Sequence, residues 1–120
     1  MSRDYRKLRA FSLAKALVIQ IYRVTRHFPR EELFGLTRQM RRAAISVPAN
    51  IAEGAGRNTL RDYVNFLNIA MGSLSELSYY LELSLELGYL NEKDHLQIGA
   101  QCDEASRTLQ GLIQALRKKL

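Results

Sequence analysis

Tryptophan is absent from this sequence of 120 residues, cysteine occurs once, proline twice and glycine seven times. Each scarcity excludes something. A lone Cys102 cannot form an internal disulfide, so nothing in the chain calls for an oxidising compartment. With so few prolines and glycines, and no low-complexity run, no linker divides the chain, and residues 1–120 read as one domain in which residues 1–11 are a basic N-terminal segment. A chain of this length buries roughly two thirds of its unfolded surface, enough for one ordinary core. No apolar run approaches the roughly 20 residues of a membrane span. The opening MSRDYRKLRAFS lacks the apolar centre of a signal peptide, so a cytoplasmic location without membrane attachment is expected.

Chemistry-bearing groups are equally sparse. His27, His95 and Cys102 show no ligand spacing, so neither metal nor cofactor is expected. Ser46 and Cys102 have no histidine near them in sequence, and no catalytic residue is assigned. The chain reads as a non-enzyme.

Acidic residues are scarce in one half only. Up to Arg61 the chain holds 13 Lys or Arg against 4 Asp or Glu, a net of +9, and from Asp62 onward 5 against 8, a net of −3. If the first two helices are neighbours, one side of the molecule is strongly basic and suited to polyanions.

Apolar residues recur with a period near 3.6 almost throughout, which predicts an all-helical chain. A first helix is expected from about Ser12, burying Ala14, Leu17, Val18, Ile21, Val24 and Phe28. Pro29 ends it and suits the start of a second helix, which follows almost at once with Leu33, Leu36, Met40, Ala43, Val47 and Ile51 inward. Pro48 lies inside that helix and predicts a kink rather than a break. Gly54-Ala55-Gly56 suggests a left-handed stop, and Thr59 with Asp62 a capping box for a third helix over about 60–87. This third helix carries two apolar stripes. One, Tyr63, Leu67, Ala70, Leu74, Leu77 and Leu81, fits the core. The other, Phe66, Ile69, Ser73 and Tyr80, lacks an obvious partner within the chain and is expected at a subunit interface, the alternative being a third helix central enough to bury both stripes. Asn91 caps a fourth helix expected to bury Leu96, Gly99, Ser106, Leu109, Ile113 and Leu116.

The segment from Gln39 to Arg57, QMRRAAISVPANIAEGAGR, is far more particular than an amphipathic helix requires, with paired arginines, Pro48, the Asn50 and Glu53 pair, and Gly54. It resembles the signature of the four-helix-bundle family that includes proteins encoded in 23S rRNA intervening sequences. Upstream, Tyr5, Leu8, Ala16, Tyr22, Phe28-Pro29, Glu32 and Gly35-Leu36 are similar to that family's approach to the signature. Downstream, Phe66-Leu67, Ile69-Ala70 and Gly72-Ser73-Leu74-x-Glu76-Leu77 are similar to its third helix. The resemblance implies an antiparallel up-down four-helix bundle that assembles as a homopentamer, with no catalytic activity. It also implies a relationship to the accessory protein of diversity-generating retroelements, and hence nucleic acid and a reverse transcriptase as partners.

From the residues themselves, Asn50 and Glu53 read as architecture that satisfies backbone groups freed by Pro48 or by the following turn. The arginines are the functional candidates. Arg38, Arg41 and Arg42 lie within about one helical turn, with Arg38 and Arg41 on a face opposite the apolar stripe. Arg23, Arg26 and Arg30 at the end of the first helix, together with Arg3, Arg6, Lys7 and Arg9, are expected to extend this edge. Arg57 follows Gly54-x-Gly56 in a turn that reads mainly as a helix end and only weakly as a phosphate cradle. Aromatic interleaving is limited to Tyr5, Phe11 and Tyr22, so RNA or DNA would be recognised by shape and charge. The competing reading is a protein-interaction module whose basic face docks an acidic protein.

Overall fold

The computed structural model of the protein describes residues 3–120, which form four helices and, among the described residues, no strand. After a 3-10 turn at Tyr5–Lys7 come α1 (Arg9–Thr25), α2 (Leu36–Ala55), α3 (Leu60–Glu86) and α4 (Glu92–Arg117), with a second 3-10 turn at Arg30–Glu32 between α1 and α2. Each helix packs on its neighbour in sequence, and α4 closes on α1. Pairs across the α2–α3 seam run in opposite directions: Ser46 meets Ser73, and six residues earlier Met40 meets Ser84. The α1–α4 seam does the same, with Arg9 facing Glu104 and Arg23 facing Asp94. The molecule is an all-α, antiparallel up-down four-helix bundle, 46 Å long and 24 × 19 Å across.

The core follows the expected stripes on α3, where Tyr63, Leu67, Ala70, Leu74, Leu77 and Leu81 are all buried. Local chemistry sets that helix's start, since Thr59 Oγ1 accepts from the Asp62 amide at 3.1 Å. Asn91 does the same for α4, its Oδ1 accepting from the Asp94 amide at 2.7 Å. Leu109, Ile113 and Leu116 line the core as expected, and Cys102 fills space among them.

Four expectations fail. The first helix starts at Arg9 with Leu8 as an uncapped N-terminal residue, because Ala10 is buried and packing extends the helix past Ser12. The second helix does not follow Pro29 directly. Arg30–Glu32 form the 3-10 turn, so Leu33 is exposed, Leu36 only half-buried, and α2 begins where the Glu32 carboxylate accepts the Leu36 amide at 3.2 Å. No left-handed stop closes α2: the helix runs unbroken through Pro48, and Gly56 has φ −87°. The left-handed glycine is Gly88, φ +78°, at the end of α3, where the Tyr89 amide folds back on the Ser84 carbonyl at 2.9 Å. Finally, the upper half of α4 is rotated from the expected stripe. Ile98, Cys102 and Ala105 point inward, Leu96 is 76% exposed, and Gly99 and Ser106 are only half-buried.

Candidate nucleic-acid interface

The seam between α1 and α2 gathers the arginines. Thr25 sits in the last turn of α1, where its hydroxyl donates to the Ile21 carbonyl at 2.6 Å. The same oxygen accepts from Arg41 Nε at 2.9 Å, so a hydroxyl on one helix orients a guanidinium on the other. That guanidinium also lies over the Tyr22 ring at 4.6 Å from its centroid. Arg41 is thereby half-buried and fixed, not directed away from the core as its spacing suggests. Arg38 and Arg42 flank it, exposed, around a hollow of about 350 Å³. A second hollow of about 410 Å³ adjoins on the other side of Arg41 and Leu33, and there Arg26 and Arg30 take part in the lining.

These five arginines share one property. Among the described residues none of Arg26, Arg30, Arg38, Arg41 and Arg42 lies within ion-pair distance of a carboxylate. The nearest carboxylate in sequence with a defined role, Glu32, is occupied by the Leu36 amide and the Tyr89 hydroxyl.

Other sequence candidates fall elsewhere. Arg23 turns toward α4 and pairs with Asp94 at 3.1 Å. Arg57 lies at the opposite end of α2, about 22 Å along the axis from Arg42. It pairs with Glu53 at 3.5 Å and covers Phe66, with 5.1 Å to the ring centroid. The N-terminal segment belongs to that far end too, since Arg3 donates to the Arg57 carbonyl and stacks on Tyr63, while Arg9 pairs with Glu104. It does not extend the α1–α2 edge.

The signature residues resolve into separate structural tasks. Asn50 Nδ2 donates to the Ser46 carbonyl at 2.7 Å and to Ser46 Oγ at 2.9 Å, and Ser73 Oγ donates to the same Ser46 oxygen at 2.8 Å. This polar knot ties α2 to α3 one turn from Pro48. Glu53 takes no part in it and faces Arg57 instead. Gly54 lets α2 approach α3 closely, since an added Cβ would stand 2.8 Å from Phe66 Cβ and 3.1 Å from the Tyr63 ring. Ser73 is therefore turned inward and does not continue an outer stripe. Of the four residues expected at a subunit contact, Ile69 is exposed and Phe66 and Tyr80 are half-buried.

Ser78, Glu82, His95 and Asp103 border one hollow of about 360 Å³ between α3 and α4, away from the arginine seam. The Cys102 thiol is pushed up to about 12 by burial first and by Asp103 second, the opposite of what a nucleophile needs. Among the described residues no three His, Cys, Asp or Glu side chains converge as metal ligands, and no helix is long and apolar enough to cross a membrane.

Phe34 carries no mark in the sequence beyond its position. It falls outside the three-four alternation of Leu33 and Leu36, and the structure leaves it 80% exposed beside Arg38 and Arg42.

The model of the 23S rRNA-intervening sequence proteins matches residues 6–111, nearly the whole bundle and all of the arginine seam. The chain belongs to that family. Among solved structures, this 23S rRNA-intervening sequence protein is similar to a protein of unknown function from the S23 ribosomal protein family of Bacteroides thetaiotaomicron. The two share 25% identity over 87% of this chain and 97% of that one, with a TM-score of 0.80. No curated protein matches the chain.

Proposed function

We propose that this family member is a non-enzymatic, oligomeric helical scaffold that holds nucleic acid, RNA or DNA, on the α1–α2 face. The supporting observation is the set of five arginines on one seam, none of which lies within ion-pair distance of a carboxylate among the described residues. Uncompensated like charges repel, and a polyanion relieves the repulsion while releasing its own counterions. Phosphates need forked, partly mobile cations more than a fixed geometry, which exposed Arg26, Arg30, Arg38 and Arg42 provide. Arg41, held by Thr25 and Tyr22, is the fixed member of the set.

Oligomerisation belongs to the same reading. Ile69, with the exposed edges of Phe66 and Tyr80, is the proposed contact on α3, and five copies of the 13.7 kDa chain form the assembly. The site of action is the cytoplasm, and a reverse transcriptase is the proposed protein partner of the branch related to retroelements. Light scattering of the purified protein tests the subunit number.

Binding is tested by fluorescence anisotropy with an RNA stem-loop and a DNA duplex at two salt concentrations. Five phosphate contacts on duplex DNA give a slope of log K against log salt of about −4 to −5. The double substitution Arg38→Glu with Arg42→Glu is expected to flatten that slope and weaken binding. Affinity indifferent to salt and to charge reversal would sink the reading. Phe34 and Ile45, exposed beside the arginines, favour a second reading in which an acidic protein segment with an apolar anchor docks here. Capture of a protein partner that survives nuclease treatment and is lost in the same double variant would select it.

A further inference from the structure

We propose that the hollow bordered by Phe34 takes an unpaired nucleobase, so that this face selects single-stranded or looped nucleic acid over regular duplex. The inference rests on the nucleic-acid reading above and names the substrate class within it.

Phe34 is the most exposed of the large hydrophobic side chains, at 80%. Water contact of that extent is unfavourable for a phenyl ring, and the backbone gives it little freedom to retreat. Its turn is closed by the Leu33 amide on the Arg30 carbonyl at 3.1 Å and the Gly35 amide on the Glu32 carbonyl at 3.0 Å. The Glu32 carboxylate then fastens the turn to α2 and to Tyr89. Gly35 permits this closure, because a Cβ there would stand 2.7 Å from Glu32 Oε1. The ring is thus presented on a fixed mount.

The hollow beside it combines an apolar lining, from Tyr22, Leu33 and Ile45, with the guanidinium groups of Arg38 and Arg42 at its border. Its volume of about 350 Å³ falls at the small end of ligand pockets, the scale of one nucleotide and not of a helix. Bases inside a duplex have both faces covered by their neighbours. Away from its ends a duplex offers no free face to Phe34, whereas an unpaired base does, and every base has one, so the contact is tolerant of sequence. The adjoining hollow shares Leu33 and Arg41 with this one and adds Arg26 and Arg30 to its lining, which supplies further cations near the stacking position for the phosphates that flank a splayed base. The charge excludes a purely apolar occupant, and the small apolar lining is superfluous for a duplex backbone.

The test compares a labelled single strand, a stem-loop and a blunt duplex of equal charge. The unpaired ligands are expected to bind more tightly than duplex, and Phe34→Ala to cost them about 5- to 150-fold, the weight of one stacked base, while duplex affinity stays within about 2-fold. Because the chain has no tryptophan, Phe34→Trp supplies a single reporter. Its fluorescence should quench on adding the single strand and not on adding inorganic polyphosphate, and circular dichroism melting verifies that both variants fold. Equal affinity for duplex and single strand, with no loss in Phe34→Ala and no base-dependent quenching, overturns the inference and leaves the nucleic-acid reading standing. If none of the three nucleic acids binds, both fall. Quenching by an acidic, aromatic-containing peptide without any by oligonucleotides also overturns it, in favour of a protein partner.

Discussion

The Tyr89 hydroxyl donates to Glu32 Oε2 at 3.0 Å while Glu32 Oε1 accepts from the Leu36 amide at 3.2 Å, so one carboxylate joins the α3–α4 connection to the first turn of α2. Tyr89 also packs its ring on Phe28, with 5.5 Å between centroids. The turn that carries Phe34 is therefore latched across the end of the bundle, not merely hinged between α1 and α2.

That latch has a pH signature. Tyr89 ionises above the ordinary 10.0 because its hydroxyl proton is held by Glu32, with burial and the charges of Glu32 and Glu31 adding to the effect. Burial also raises Tyr63, opposed by Arg3, and raises Tyr80 together with Glu76. A group that binds its proton more tightly when folded contributes stability that is complete below the unfolded value and is lost as pH rises through the folded one. Urea midpoints should therefore decline above about pH 10. Tyr89→Phe is expected to start lower at pH 8 and decline less, and parallel curves for the two proteins would show that Tyr89 is not part of the cause.

Close helix contact at Gly54 gives a directional prediction. Gly54→Ala forces a methyl against Phe66 and Tyr63 and should cost about 1–3 kcal/mol in denaturant unfolding. Gly72→Ala, inside α3 with nothing within 4 Å of the added Cβ, should instead stabilise by about 0.5–1 kcal/mol. Equal effects would show that the two glycines are retained for the same reason.

Arg41 and Arg38 separate fold from binding. Arg41→Lys keeps the charge and loses both the bond to Thr25 and the stacking on Tyr22, so a loss of about 1 kcal/mol is expected with the salt slope of binding nearly unchanged. Arg38→Glu touches no such contact, so stability should stay within about 0.5 kcal/mol while affinity for nucleic acid drops. Thermal melts and anisotropy on the same preparations distinguish the two.

The rotation of α4 is testable by truncation. Ile98→Ala should cost about 2–5 kcal/mol, since Ile98 is fully buried, whereas Leu96→Ala should be near neutral. The reverse order would restore the register suggested by the sequence.

Much of this was legible because it is local. The Thr59 and Asn91 caps need only a side chain three residues from an amide, and the α3 stripe needs only 3.6-residue periodicity along an apolar helix. The arginine edge was legible as a count of charges, though not as a site. Arg23 and Arg57 have the same side chain as Arg38, and what separates them is a carboxylate brought in from α4 or from the preceding turn of α2. Phe34 was illegible for a related reason, since exposure is a property of neighbours and not of a residue.

By itself, then, the sequence determined the helical class, the order of four helices, the caps of the last two and the basic bias of the first half, because periodicity, short-range capping and charge are written along the chain. Tertiary structure alone decided which arginines stay uncompensated, which face of α4 turns inward and where α2 begins. Those outcomes depend on atoms far apart in sequence: Glu32 against Tyr89, Arg41 against Thr25, and Gly54 against Phe66. Helical spacing constrains rotation about an axis only loosely, and the packing partner fixes it.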